Sequence, residues 1–454
     1  GGLSARPLTR SDVVGIDWPP ILGGEAATVA ALLRQLGDTE WMAPADIEAM
    51  QHRQLVNLAT HCAKYSPHFQ RRLKQAGLKP RDLASPSGFR RLPVMNRRQL
   101  QTATDLYCQM APNSHMPLGE LRSTGSTGEP VVVRRTTINR LMHHGFMLRQ
   151  YLWHERDFTE SACGLRASFS AVTRLDNWGP PASLLFDTGP YLGVPITFSL
   201  ESQLELIAEF APAVLSIHPN NLEGLARLCI ARGVALPSVR HAYTLAETVK
   251  PELRAEVAEV FGADIIDCYS SQEGGCIALQ CPQSGLYHVM AEGLIVEILD
   301  DLGKACAPGE IGGVTLTDLH NFAMPIVRYQ LGDYAEASEP CPCGRGLPTL
   351  ARIHGRDRNL ILMPDGTRHW MSMGPERFRE LAPILQFQFI QDGRESMEMR
   401  LLATRPLTAG EMSDLEANVQ ETLGYPFAVR FTVFEDEIPK GPSGKFEMFM
   451  CMVG

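Results

Sequence analysis

Between about residue 120 and residue 335, short β-rich runs alternate with amphipathic stretches, and this alternation restricts the chain's fold more than any other feature. Val131-Val132-Val133, Ala213-Val214-Leu215-Ser216-Ile217 and Gly313-Val314-Thr315-Leu316 read as strands. The segment from Asn221 to Arg232 reads as a helix between two of them. Such alternation builds α/β layers around a sheet. Ahead of it, residues 26–80 read as helical, with apolar periodicity through Ala27 to Leu33 and again through Leu55, Leu58 and Ala59. A chain of 454 residues is too long for one core, so two or three domains are expected. A break falls at His354-Gly355-Arg356-Asp357-Arg358, and the residues after it read as a small α+β unit. The expected fold is therefore α/β. A large multi-layer N-terminal domain (1–355), built on β-sheets with flanking helices, precedes a small mobile α+β C-terminal domain (356–454).

Composition narrows the function classes. The net charge of 42 − 51 = −9 argues against nucleic acid or an anionic membrane as partner. No apolar run reaches the length of a membrane span, and the start lacks the charged-then-apolar pattern of a signal peptide. Eleven cysteines in a chain this long do not make a secreted disulfide scaffold, so a reduced, cytoplasmic enzyme is expected.

Four segments offer chemistry. The first is Lys445, in Pro439-Lys440-Gly441-Pro442-Ser443-Gly444-Lys445. A P-loop would need Gly at 439 and Ser or Thr at 446, where this chain has Pro439 and Phe446. A lysine on a mobile loop, acting on a site built elsewhere, fits better. The second is Ser123-Thr124-Gly125-Ser126-Thr127-Gly128-Glu129-Pro130, whose glycines and four hydroxyls let backbone N–H groups wrap a polyphosphate. A solvated hairpin turn explains the same residues. A hydrolase nucleophile at Ser126 is disfavoured because Thr124 stands where the nucleophile elbow wants Gly. The third is Asp267-Cys268-Tyr269-Ser270-Ser271-Gln272-Glu273-Gly274-Gly275, where a carboxylate at a strand end before a Gly pair is placed to hold Mg²⁺; an ordinary strand-end turn is the alternative. The fourth, Arg328-Tyr329-Gln330-Leu331-Gly332-Asp333, puts an Asp after Gly where it could accept both ribose hydroxyls.

In this order the segments resemble the adenylate-forming superfamily of acyl-CoA synthetases, adenylation domains and luciferases. The phenylacetate–CoA ligase branch is the most similar, through Tyr65-Ser66-Pro67-His68-Phe69, Leu92-Pro93-Val94-Met95 and Met324-Pro325-Ile326-Val327-Arg328-Tyr329. The resemblance runs from about residue 50 to the end. It implies an ATP-dependent ligase that joins a small carboxylic acid to AMP with loss of pyrophosphate, then passes the acyl group to coenzyme A. A carrier-protein pantetheine in trans or an amine are the alternative acceptors. It implies that Ser123, Thr124, Gly125, Ser126, Thr127 and Gly128 cradle the ATP phosphates. Ala246 and Glu247 would line the adenine pocket, with Tyr269 and Ser270 beside the base and Glu273 holding Mg²⁺. Asp333 and Arg356 would bind ribose, Asp357 would be the hinge, and Lys445 would bridge carboxylate and α-phosphate. Homodimers are also among the expected assemblies.

Chemistry accounts for these residue types. A carboxylate attacking a phosphate brings anion to anion, so the site must neutralise charge in an in-line transition state. A mobile lysine supplies a compact point charge. The chain also departs from its relatives. Glu129 replaces a Lys in the phosphate loop, Gln330 replaces an Arg so that Arg328 and Arg356 are the nearer cations, and Arg134-Arg135-Thr136 replaces Tyr-Thr. The last change points away from phenylacetate and toward a more polar acid, heteroaromatic or hydroxylated, within the aryl or heteroaryl acids expected as substrates, with Arg135 and His218 as substrate-contact candidates.

Cys281, His288, Cys341 and Cys343 form a Cys₃His set suited to structural zinc, similar to a pattern in some relatives; buried reduced cysteines are the alternative. Cys276 is a substitute ligand. Packing or solvation accounts for His143 and His144, and packing for Met448, Met450 and Met452.

Overall fold

The computed structural model describes residues 9–122, 131–245, 247–356, 360–370, 375–435, 438–439 and 449–453. The chain divides into two compact units, Gly1–His354 and Gly355–Gly454.

The first unit opens with helices α1 (Gly24–Thr39), α2 (Pro44–Tyr65), α3 (Pro67–Gln75), α4 (Pro86–Arg90) and α5 (Arg97–Thr102). Leu55, Leu58, Ala59 and Cys62 recur at helical spacing on α2 and are fully buried. Burial of each leucine contributes about 2 kcal/mol before entropy is counted. Strands β1 (Gly119–Arg122) and β2 (Val132–Arg135) pair as an antiparallel ribbon. Helix α6 (Thr137–Trp153) follows at once, started by a capping box in which Thr136 and Asn139 exchange hydrogen bonds.

Then come β3 (Ala162–Arg166), β4 (Thr173–Leu175), β5 (Tyr191–Pro195), α7 (Leu200–Phe210), β6 (Val214–Ile217), α8 (Pro219–Arg232), β7 (His241–Leu245), α9 (Pro251–Phe261) and β8 (Asp264–Ser271). The expected helix at Asn221–Arg232 is α8; it starts two residues earlier, where Pro219 occupies the first turn. It stops at Gly233, whose φ of 62° suits a glycine C-cap. Strands β9 (Gly275–Gln280), β10 (Tyr287–Val289), β11 (Leu294–Leu299), β12 (Ile311–Asp318), β13 (Tyr329–Ala337) and β14 (Thr349–Arg356) complete the sequence.

Among the described residues these strands form one sheet of twelve, ordered β11-β12-β13-β14-β10-β9-β8-β7-β6-β3-β5-β4. β5, β3, β6, β7 and β8 run parallel. Burial is continuous along Ile265–Tyr269 in β8 and Ala162–Leu165 in β3, as in strands covered on both faces. The chain enters this region at β3, lays β5 on one side, and returns to the other with β6, β7 and β8. The strand order therefore reverses between β3 and β6, and ligands of such sheets bind in the crevice beyond the carboxyl ends at that point.

The second unit contains β15 (Leu360–Leu362), β16 (Arg368–Trp370), α10 (Pro375–Leu381), β17 (Ile384–Gly393), β18 (Ser396–Ala403), α11 (Ala409–Leu423), β19 (Ala428–Phe434) and β20 (Phe449–Cys451). Its four-stranded sheet has the order β19-β18-β17-β20. Phe378, Phe389, Met399, Leu415, Val419 and Phe427 fill its core. Met452 was expected to pack and does not; it is exposed, because β20 ends at Cys451.

Candidate active site

The site in the first unit is assembled at the β8–β9 turn. β8 carries Tyr269 and Ser270 to the sheet's edge of the turn, and Glu273 sits in the turn itself, 4% exposed. Tyr269 Oη donates a 2.8 Å hydrogen bond to Asp333 Oδ2, joining two residues 64 positions apart. Asp333 follows Gly332, whose φ of 81° lets β13 turn the carboxylate to that point. Ser270 lies beside them on the same strand, partly buried.

Glu273 is met by Arg97 at the start of α5, with Arg97 Nη1 3.4 Å from Glu273 Oε1. Arg97 escaped sequence reasoning because no spacing rule ties residue 97 to residue 273; the Asn96–Gln99 capping box that fixes its helix was the only local signal. On the other side Arg135 Nη2 donates to Gln272 O at 2.7 Å. Burial lowers the Arg135 pKa, while Asp318 and Glu273 oppose that shift. Arg135 thus lies against the turn that carries Glu273. Nearby, burial and the Glu273 carboxylate push the Tyr329 phenol upward.

A crevice beside this turn is lined by Arg135, Met142, His143, Phe146, Gly274 and His320. His143 is open to solvent there yet walled by protein on most sides, which lowers its pKa to about 4. The crevice is backed by Asp318, which accepts from Asn139 Nδ2 at 3.0 Å and from the His320 N–H at 2.9 Å.

At the end of β7, Glu247 accepts from the Asn220 N–H at 3.1 Å and lies 3.7 Å from His218 Nδ1. The two candidates therefore meet at the start of α8. Ser123 to Gly128, Ala246, Asp357 and Lys445 lie outside the described residues; Arg356 closes β14.

Two other groups are committed elsewhere. Asp267 accepts from Thr244 Oγ1 at 2.6 Å and Tyr287 Oη at 2.8 Å, and burial raises its pKa. Of the carboxylates in the third segment, Glu273 is the one in the turn. Arg328 was expected to be a cation near the site. Instead it is buried, paired by two hydrogen bonds to Glu297, and donates to the carbonyls of Arg90 and Leu92. Its φ of 48° turns it from the strand direction into the core.

Cys281, His288, Cys341 and Cys343 converge because β10 pairs with both β9 and β14. Their ligand atoms all lie within 4.8 Å of one another. Cys341 Sγ is 3.7 Å from Cys281 Sγ, and Cys343 Sγ is 3.3 Å from His288 Nε2. Zn–S bonds of about 2.3 Å in a tetrahedron give an S···S edge near 3.8 Å, so the donor set fits zinc. Burial pushes the Cys281 thiol up, but hydrogen bonds from the Ser284 hydroxyl and the Ser284 and Gln283 amides outweigh it and favour thiolate. Burial lowers the His288 pKa to about 4, which keeps the imidazole neutral for ligation. Cys276 is not in this group; its sulfur lies 3.8 Å from Cys268 Sγ.

No protein-family model matches the chain. The chain is 27% identical over 340 residues to a phenylacetate–coenzyme A ligase of Thermus thermophilus, covering 70% of this chain and 72% of the relative. It is 23% identical over 364 residues to the phenylacetate–coenzyme A ligase of Escherichia coli K12, covering 77% and 80%. The fold matches 2-hydroxyisobutyryl-CoA ligase in the postadenylation state, with a TM-score of 0.72, 16% identity and 91% of each chain covered.

The chain shares the fold of that CoA ligase. Over more than two thirds of its length the chain is similar to phenylacetate–CoA ligases, the branch its motifs resemble. Among the described residues, no helix is long and apolar enough to cross a membrane.

Proposed function

We propose that the protein is an AMP-forming acid–CoA ligase that makes an acyl-adenylate from a small carboxylic acid and ATP, then transfers the acyl group to coenzyme A. The observation that carries this reading is the Tyr269–Asp333 hydrogen bond, which brings the residues assigned to adenine and ribose together beside Glu273.

In this reading the carboxylate oxygen of the acid attacks the α-phosphate and pyrophosphate leaves. The thiol of coenzyme A then attacks the acyl carbon, and AMP leaves with the bridging oxygen. Asp333, oriented by Tyr269, accepts the ribose hydroxyls. Glu247 borders the base. Glu273 offers one carboxylate, an oxygen donor of the kind Mg²⁺ takes, and the ion would supply charge neutralisation when bound. Arg97 holds the Glu273 carboxylate by its Oε1. The Ser123–Gly128 loop holds the β- and γ-phosphates. Lys445 neutralises charge developing at the α-phosphate and is withdrawn for the second step, with Asp357 as hinge and Arg356 assisting at ribose.

Arg135 and the crevice beside it favour a polar acid, while zinc in the Cys₃His set is structural because four protein ligands leave no open position. Eleven free cysteines accord with a reducing, cytoplasmic setting. Transfer to a carrier-protein pantetheine in trans is the second reading; one structure with the same fold is an adenylation–carrier pair bound to phenylalanyl-adenylate, TM-score 0.52. Homodimerisation also belongs to this proposal.

Acid-dependent exchange of labelled pyrophosphate into ATP tests the reading across a panel of aryl, heteroaryl and hydroxy acids. Exchange that requires an acid supports it. A panel in which no acid promotes exchange overturns it.

A further inference from the structure

Arg166 stands at the carboxyl end of β3, beside β6, where the strand order reverses. Its Nη2 donates to Ser216 Oγ at 2.5 Å. Its Nη1 is shielded from solvent and meets no hydrogen-bond acceptor among the described residues. Within ion-pair range of Arg166 there is no described carboxylate, in contrast to Arg149, Arg328 and Arg345, which all have one. Two ionisable groups near it, Cys163 and Tyr191, stay uncharged, since burial pushes the Cys163 thiol up to about 12 and raises the Tyr191 phenol. A shielded guanidinium without an anion is costly to keep unless a ligand supplies one. The crevice at a strand-order reversal is where such a sheet receives ligands.

Position narrows what that ligand group is. Register runs from Gly164 to Ser216, Tyr243 and Ile266 across β3, β6, β7 and β8. Two residues further along, Arg166 is level with Cys268, the neighbour of Tyr269. Three strand spacings separate them, about 14 Å. That is too far for Arg166 to serve the reacting carboxylate beside Glu273.

We infer that Arg166, with Ser216, binds a remote anionic oxygen group of a co-substrate, by charge-assisted hydrogen bonds to Nη1. The group is a carboxylate or phosphate. Two co-substrates of the proposed ligase could bring it: an acid with a second anionic group far from the reacting one, or coenzyme A through its phosphates. The inference rests on the ligase reading.

The test compares wild type with Arg166→Met, which keeps the length, and Arg166→Lys, which keeps the charge. Acid-dependent pyrophosphate exchange without coenzyme A measures KM for dicarboxylic acids against their monocarboxylic analogues. Thioester formation measures KM for coenzyme A against pantetheine, which has no phosphate. Arg166→Met is expected to raise KM about tenfold or more for the anion-bearing partner only, with partial recovery in Arg166→Lys. Selective loss for dicarboxylic acids assigns the group to the acid; selective loss for coenzyme A over pantetheine assigns it to the phosphates. Equal KM values throughout overturn the inference. Because Arg166 has no carboxylate partner among the described residues, the Arg166→Met melting temperature should equal or exceed that of wild type; a fall indicates a structural arginine and also overturns it. If wild type shows no exchange, the ligase reading fails separately, and calorimetric titration with coenzyme A, pyrophosphate and glutarate decides the anion site. Weaker binding of any one to Arg166→Met upholds the site, and equal binding of all three overturns it.

Discussion

Replacing Cys341 with serine tests the zinc assignment through stability, without reference to turnover. Cys281 and Cys341 lie 60 positions apart with sulfurs 3.7 Å apart, so a metal on both closes a loop of that length. Treated as a cross-link of the unfolded chain, such a loop is worth about 4 kcal/mol, from an entropy that grows with the logarithm of its length. The first unit spans Gly1–His354. At about 2 cal/mol/K per residue its unfolding entropy is roughly 0.7 kcal/mol/K, so the loss converts to a fall in melting temperature of about 6 °C. The assay is calorimetry beside elemental analysis of protein purified without chelator. Wild type should hold one zinc per chain, and Cys341→Ser should lose most of it together with those degrees. Chelator should lower wild type to the level of the variant and leave the variant unmoved. Wild-type protein free of stoichiometric zinc, with Cys341→Ser melting at the wild-type temperature, would refute the reasoning.

Tyr269→Phe deletes one hydrogen bond to a carboxylate, worth about 1.5 kcal/mol at a partly buried acceptor, so KM for ATP in pyrophosphate exchange should rise roughly tenfold with kcat little changed; an unchanged KM would detach Tyr269 from nucleotide binding. Lys445→Ala should abolish adenylate formation yet largely spare thiol attack on a supplied acyl-adenylate, and equal loss in both half-reactions would count against a lysine withdrawn between steps. His143 has a folded pKa of about 4, below the usual 6.5, because of burial and then the nearby His144 and Arg135. Above 6.5 both states are neutral there. Between 6.5 and 4 only the unfolded chain takes up the proton, so stability falls as pH drops through that window. Urea titrations at several pH values should show this fall, and His143→Gln should flatten it; an identical slope in the variant would remove His143 as a cause.

The α/β alternation was legible because strand and helix patterns are local: α8 falls within two residues of where its apolar spacing and Gly233 put it. The break read at His354-Gly355-Arg356-Asp357-Arg358, a charged stretch with one glycine, lies where the two compact units divide. The convergence of Cys281, His288, Cys341 and Cys343 was anticipated from residue type, although only the pairing of β10 with β9 and β14 explains it physically. What the sequence hid were long-range partners. Arg328 reads as a site cation in an Arg-Tyr segment, but a positive φ and Glu297, 31 positions upstream, take it into the core. Arg97 and Arg166 carry no motif at all; their significance depends on which strands become neighbours. The same holds for Asp318, whose role at the crevice follows from Asn139 on α6.

The most direct test of the central claim is to follow the oxygen. An acid labelled with heavy oxygen in its carboxylate is incubated with ATP, Mg²⁺, coenzyme A and the protein, and the nucleotide product is weighed by mass spectrometry. Attack of the carboxylate on the α-phosphate, followed by thiol attack on the acyl carbon, predicts AMP carrying one heavy oxygen and pyrophosphate carrying none. Unlabelled AMP, or ADP with the label in inorganic phosphate, would contradict it.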